Sequence, residues 1–204
     1  MALKEMALKE ILSEMHDLIV GLMESAELLQ KGLIYNNTKV IEEAAFPLTK
    51  VKGLEGPYTG ELVREGKATP EAARYVSLPS HMGKMADNFG RISGAIEKKI
   101  KDGVLFSDRA IGELNFLFER AHDIMDNAKD LLLARNAIIA NYIVQSEKEF
   151  TRAANDFATN HEERLIEGLC QPVASSIYID MLDAFKGVVW HSREIARDLV
   201  EVNL

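Results

Sequence analysis

Apolar residues recur along this chain in alternating steps of four and three, and that rhythm narrows what the chain can become. Leu8, Leu12, Met15, Ile19, Leu22, Ala26, Leu29 and Leu33 keep it through the first segment. Ile111, Leu114, Phe118, Ala121, Met125, Ala128 and Leu132 keep it again, as do Ile139, Ile143, Ser146, Phe150, Ala153 and Phe157. Ile177, Met181, Ala184, Val188, His191 and Ile195 carry it near the end. A mean step of about 3.5 residues places each set on one helical stripe, and such stripes pack long helices side by side, near antiparallel. No segment alternates with period two, so no sheet is expected and the fold class is all-α.

Helix breakers set the expected boundaries. Gly32 and Asn36-Asn37 predict the end of the first helix. A short second helix is expected over 38–49. Beyond it Pro47, Gly53, Gly56, Pro57, Gly60 and Gly66 predict irregular chain with at most one turn at 61–64. Thr69-Pro70-Glu71 has the form of a helix start: a hydroxyl cap, a proline in the first turn, then an acid favoured by the dipole. Pro79 is expected to kink or restart that helix, which continues through Met82, Met85, Phe89, Ile92, Ile96 and Ile100 to Gly103. Ser107-Asp108 caps the next, Asn136 marks a turn, and Gly168 with Pro172 separates the last two.

The expected architecture is therefore a six-helix assembly of two three-helix-bundle repeats within a single domain spanning 1–204, the first covering 1–104 and the second 105–204. An internal echo supports it: Pro70-Glu-Ala72 is answered half a chain later by Pro172-Val-Ala174. With one residue inserted, Tyr75 matches Tyr178 and Ile92 matches Ile195. The pentad Met1-Ala-Leu-Lys-Glu5 also repeats as Met6-Ala-Leu-Lys-Glu10, either as a helical start or as a duplication.

At 204 residues, with 47% hydrophobic and 27% charged residues, the chain can bury a sizeable core. Its net charge of −8 disfavours nucleic acid, which needs a basic surface. Lys98, Lys99 and Lys101 form the one local basic cluster. A single cysteine, Cys170, excludes an intrachain disulfide and reads as a small packing residue. No run approaches the roughly 18 apolar residues a membrane span needs, and the first residues lack a signal-peptide apolar core, so no membrane insertion is expected.

Few constellations could carry chemistry. Glu119, Asp123, Asp126 and Asp130 form one acidic stripe, and Glu10, Glu14, Asp17 and Glu24 form another on the first helix. Facing each other, the two could hold an Fe, Mn, Zn or Mg ion; alone, each is a solvated face. Glu119-Arg-Ala-His122 matches half of a di-iron motif, with no second copy. His191 on the stripe of the last helix and His161 near that of the fifth could ligate metal, sense pH, or simply pack. Trp190 reads as a packing or interface residue. Cys170 and His161 would lie about two and a half turns apart on one straight helix, too far to touch. Phosphate-binding loops and nucleophile elbows are absent.

Two stretches carry a resemblance. Gln171-Pro-Val-Ala-Ser175 opens a long helix, and Met82-Gly-Lys-Met-Ala-Asp87-Asn-Phe-Gly-Arg-Ile92 follows within another. With the two-times-three helix plan, they resemble the PhoU family of phosphate-uptake regulators. The resemblance implies a cytoplasmic regulator, not an enzyme, that contacts a phosphate transporter or a phosphate-sensing kinase. In that family an acid, three residues, then an aspartate accompany metal. Here Asp87 matches the second acid, but Gly83 stands at the first, and Lys186 and Trp190 take both positions in the second half. Glu119/Asp123 and Asp126/Asp130 have the same spacing elsewhere. The candidate metal residues are thus Glu119, Asp123, Asp126, Asp130 and Asp87. Apolar residues on more than one face of the fifth helix, such as Ile138, Ile139, Tyr142, Ile143 and Val144, suggest either deep burial or a homodimer face. A carboxylate-bundle metalloenzyme and a structural oligomerisation module stand as alternatives.

Overall fold

The computed structural model describes residues 2–200, with side chains from Leu8 to Val200. Its helices are α1 (Ala2–Tyr35), α2 (Thr38–Gly66), α3 (Pro70–Arg74), α4 (Leu78–Lys101), α5 (Asp108–Ala134), α6 (Ala137–Ile166) and α7 (Pro172–Leu199). Among the described residues there is no strand. No helix there is long and apolar enough to cross a membrane. The side chains of the first pentad and of Met6 and Ala7 lie outside the described residues.

Burial follows the predicted stripes. All eight seam residues of α1, from Leu8 to Leu33, are buried. In α5 the seam is buried from Leu114 to Leu132, with Ile111 half-buried at its start. In α7 every seam position is buried except His191. Helices α1, α2 and α4 pack on one another, and so do α5, α6 and α7. The two triples join through α1 against α5 and, most extensively, α4 against α7. Four helices thus share an inner layer, with α2 lying over α1 and α4, and α6 over α5 and α7.

The turns are built as their residues dictate. Asn37 and Asn136 cap α2 and α6, each side chain accepting from a backbone N–H two residues on. Ser107 accepts from the Ala110 N–H at 3.2 Å. Thr69 is extended but makes no side-chain cap bond. Asn36, Arg135, Gly103 and Gly168 take the left-handed conformation that ends helices. The α3–α4 break falls at Tyr75–Ser77, and α4 restarts with Pro79 in its first turn.

The segment after 49 corrects the sequence expectation. Helix α2 runs unbroken through Pro47 and Pro57 to Gly66. An internal proline removes one ladder bond and costs about 3 kcal/mol. Here Ile41, Ala44, Leu48, Val51, Tyr58 and Leu62 bury one face of α2, and that burial outweighs the local cost. Gly53, Gly56 and Gly60 face open space and break nothing. Gly32 likewise does not end α1. Its missing side chain lets Ile41 close onto α1, as a Cβ there would collide with the Ile41 side chain.

Candidate functional site

The α4–α7 seam joins the two triples and carries the chain's densest polar contacts between them. His81 on α4 and His191 on α7 meet Nδ1 to Nδ1 at 3.0 Å. Behind them Asp198 lies 3.6 Å from His81 Nε2 and accepts from the Ser77 hydroxyl at 2.5 Å. Trp190 meets both imidazoles in T-shaped contacts and has the Arg193 guanidinium over its ring at 5.3 Å. Further along, Arg91 bonds Asp180 at 2.5 Å. Gly187 lets α7 approach α4 closely, since a Cβ there would stand 2.6 Å from Asn88 Nδ2.

A 3.0 Å contact between two imidazole nitrogens needs one N–H and one lone pair, so it is lost when both nitrogens carry a proton. Burial, with the charges of His81 and Lys84, pushes His191 down to about 4 from its ordinary 6.5. The folded state therefore binds fewer protons here than the unfolded one. This contribution is complete above pH 6.5 and is lost as the pH falls towards 4. After allowance for partial exposure it amounts to about 1–2 kcal/mol. In urea unfolding, the stability difference between His191→Phe and the parent should shift in favour of the variant by that amount between pH 7 and pH 4.5. Parallel pH dependences would contradict the assignment.

The positions matching the family's metal pattern lie on these same helices, and their residues do not fit a cation. Asp87 is bonded by Lys52 of α2 at 2.7 Å and by Lys84 at 3.4 Å, which hold its carboxyl below the usual range against some burial. The Glu55 carboxylate of α2 lies over Gly83, in the space a side chain would take. Lys186 pairs with Asp183 at 2.8 Å, and Trp190 offers no ligand atom. Ammonium groups beside Asp87 and at position 186 repel an added cation.

The acidic stripe of α5 is similarly engaged. Asp123 accepts from the Tyr142 hydroxyl at 2.6 Å and lies 3.5 Å from Arg120. Lys129 serves both Asp126, at 2.7 Å, and Asp130, at 3.6 Å. Glu119 and His122 border an α1–α5 groove in which Glu27 comes to 3.5 Å from His122. The α1 stripe turns elsewhere: Glu14 accepts from Tyr58 of α2 at 2.8 Å, and Asp17 and Glu24 face the α2 groove around Pro47. The two stripes do not converge. Among the described residues no three His, Cys, Asp or Glu side chains come together so as to hold a metal ion.

The two histidines singled out from the sequence also part company. His161 pairs with Ser175 at 2.9 Å and stacks on Tyr178, at the opposite end of α7 from His191. The straight-helix argument for Cys170 fails, because α6 ends at Ile166 and the chain turns through Gly168. Cys170 and His161 then border one cavity. Beneath lies a polar core that sequence reasoning missed. Arg164 bonds both oxygens of Glu113 at 2.9 and 2.8 Å, and Tyr178 donates to it at 2.5 Å. Burial pushes Glu113 up, but the bonds from Arg164 and Tyr178 outweigh it and leave the carboxyl below its usual range. The available signal was a lone acid among the core-facing positions 110, 113, 114 and 117. Lys99, read as part of a basic cluster, is buried too: it donates to Asn36 at 2.7 Å, and desolvation lowers its pKa.

This arrangement of helices recurs in solved structures. The phosphate transport system regulatory protein PhoU from Streptococcus pneumoniae is similar over 96% of this chain and 94% of its own, with a TM-score of 0.84 at 13% identity. PhoU from Pseudomonas aeruginosa is similar over 97% and 96%, with a TM-score of 0.85 at 14% identity. The chain has the PhoU fold. No family model matches the sequence, and no curated protein matches it either. At such low identity the likeness is one of helix plan alone.

Proposed function

We propose that this chain regulates phosphate transport from the cytoplasmic side of the membrane by binding other proteins rather than by catalysis. The observation that carries the reading is the fold: near-complete coverage in both directions, at TM-scores of 0.84 and 0.85, with two PhoU proteins, one of them a phosphate transport system regulatory protein. The site supports it. The α4–α7 seam carries ion pairs, the histidine pair and one large half-exposed aromatic residue, features suited to a protein contact. The reading requires no metal at the seam, where Gly83, Lys186 and Trp190 stand at three of the four acid positions and Lys52 and Lys84 pair with Asp87 at the fourth. The partner is a transporter subunit or a phosphate-sensing kinase, and a second copy of the chain is the remaining candidate.

Trp190, the chain's only tryptophan, is the residue we assign to the partner contact. It is 41% exposed on the seam while one side is held by Arg193. A half-exposed, pre-ordered tryptophan makes a strong contact residue, and its removal from an interface costs about 2 kcal/mol or more. Affinity capture after crosslinking in phosphate-replete cells should recover a phosphate transporter subunit or kinase. Trp190→Ala should reduce that recovery at least about tenfold, with little change in thermal stability. Recovery of neither class of partner would refute the reading; recovery unaffected by Trp190→Ala would refute the seam as the contact face.

A further inference from the structure

Where the α4–α5 turn meets the α6–α7 turn, a cavity of about 240 Å³ opens at the end of the second triple. Leu105, Phe106 and Leu169 supply its apolar wall, and Leu105 and Leu169 stand largely exposed at the edge. Deeper in, His161 and Tyr178 line it with their rings stacked, centroids 4.7 Å apart. His161 is 2% exposed. Its Nε2 meets the Ser175 hydroxyl, while its Nδ1 has no hydrogen-bond partner. A buried ring nitrogen without a partner is rare in a folded protein, because it forfeits its hydration with nothing in exchange.

The surroundings say what would suit that nitrogen. Burial and the Arg164 charge hold His161 below its ordinary value, so the ring is neutral and carries one N–H. The Nε2–Ser175 contact fits either tautomer; in the one where the Ser175 hydroxyl donates to Nε2, the proton sits on Nδ1 and calls for an acceptor, and ligand recognition at Nδ1 rests on that tautomer. The first turns of two long helices border the same cavity, α5 through Ala110 and α7 through Ala174. The α7 end presents partial positive charge there, with no side-chain cap and no acid in its first turn, whereas Ser107 caps α5 and Asp108 sits in its first turn. The nearest buried carboxylate, Glu113, is already taken by Arg164 and by Arg109, so it is offset by two guanidinium groups.

We propose that this cavity binds a small monocarboxylic acid. The apolar body lies between Leu105, Phe106 and Leu169. The carboxylate accepts from His161 Nδ1 near the first turns of α5 and α7. The site stands at the far end of α7 from the His81–His191 pair, and neither the metal pattern nor the partner contact uses it.

Benzoate is the probe, titrated into the full chain and followed by saturation-transfer NMR and by thermal unfolding. A ligand of this size is expected to bind at about millimolar Kd and to raise the melting temperature. Benzyl alcohol, which lacks the charge, and inorganic phosphate, which lacks the apolar body, should each bind at least about tenfold more weakly. His161→Phe keeps the stacked ring and removes Nδ1; Ala174→Leu fills the cavity from α7. Each should weaken benzoate at least about tenfold, with the far-ultraviolet circular dichroism confirming an intact fold. No transfer to benzoate at roughly 10 mM would overturn the proposal. So would binding that survives Ala174→Leu in a folded chain. Equal binding of benzyl alcohol would overturn the assignment of a carboxylate.

Discussion

Glu113→Ala should lower the stability of this chain by about 3–5 kcal/mol, a drop in melting temperature of roughly 6–20 °C. The size of the effect comes from what the substitution leaves behind. Arg164 is 8% exposed and its guanidinium bonds both oxygens of Glu113, so the truncation strands a buried positive charge. It also strips the Tyr178 hydroxyl of its acceptor. Replacing the pair together by apolar residues of similar length, as Glu113→Leu with Arg164→Met, removes both charges at once and should recover most of the loss. Thermal unfolding of the single and double variants checks this. A single variant within about 1 kcal/mol of the parent would mean that Glu113 and Arg164 do not form the buried pair described here.

Phe185→Ala is expected to cost about 3–5 kcal/mol by a different mechanism. Phe185 is fully buried on α7, with the Phe118 ring of α5 edge-on at 4.7 Å and the Phe150 ring of α6 at 6.5 Å. All three helices of the second triple meet at this ring. Cutting it back to a methyl leaves a cavity that long, packed helices close only in part. Phe185→Leu, which restores most of the volume, should cost about 1–2 kcal/mol. Chemical denaturation midpoints distinguish the two. An alanine variant no worse than the leucine one would show that the ring does not sit at the junction.

These two predictions differ in how far the sequence foretold them. The seam containing Met181, Ala184 and Val188 was legible from spacing alone, because a 3.5-residue rhythm leaves an apolar stripe only one way to face. Phe185, beside that stripe, shares its burial as α7 is covered by α4, α5 and α6. Glu113 and Arg164 are 51 residues apart, and nothing local ties them together. The same holds for His81 and His191, which meet only because α4 and α7 pack in one particular register. Helix α2 shows the converse failure. Pro47, Pro57 and a run of glycines argue locally against a helix, yet burial of Ile41 through Leu62 settles the matter from outside the segment. Acidic stripes mislead in a related way: equal spacing on α1 and α5 says nothing about the angle at which each stripe faces, and here one turns towards α2.

The likeness in fold and the departures at the motif positions lead to one picture. Two helix triples meet along α4 and α7, where Lys52 and Lys84 pair with Asp87 and Lys186 pairs with Asp183. What remains on that seam is a set of ion pairs, a histidine pair and a half-exposed tryptophan, the residue assigned to the proposed partner contact. The histidine pair also gives the seam between the triples a sensitivity to acid.

The rate of phosphate uptake, compared in cells with and without the gene, tests the regulatory reading most directly. In phosphate-replete medium, loss of the chain should change uptake several-fold, and the parent sequence should restore it while Trp190→Ala does not. Uptake that is the same with and without the chain, under both limitation and excess, would contradict the proposed role in phosphate transport.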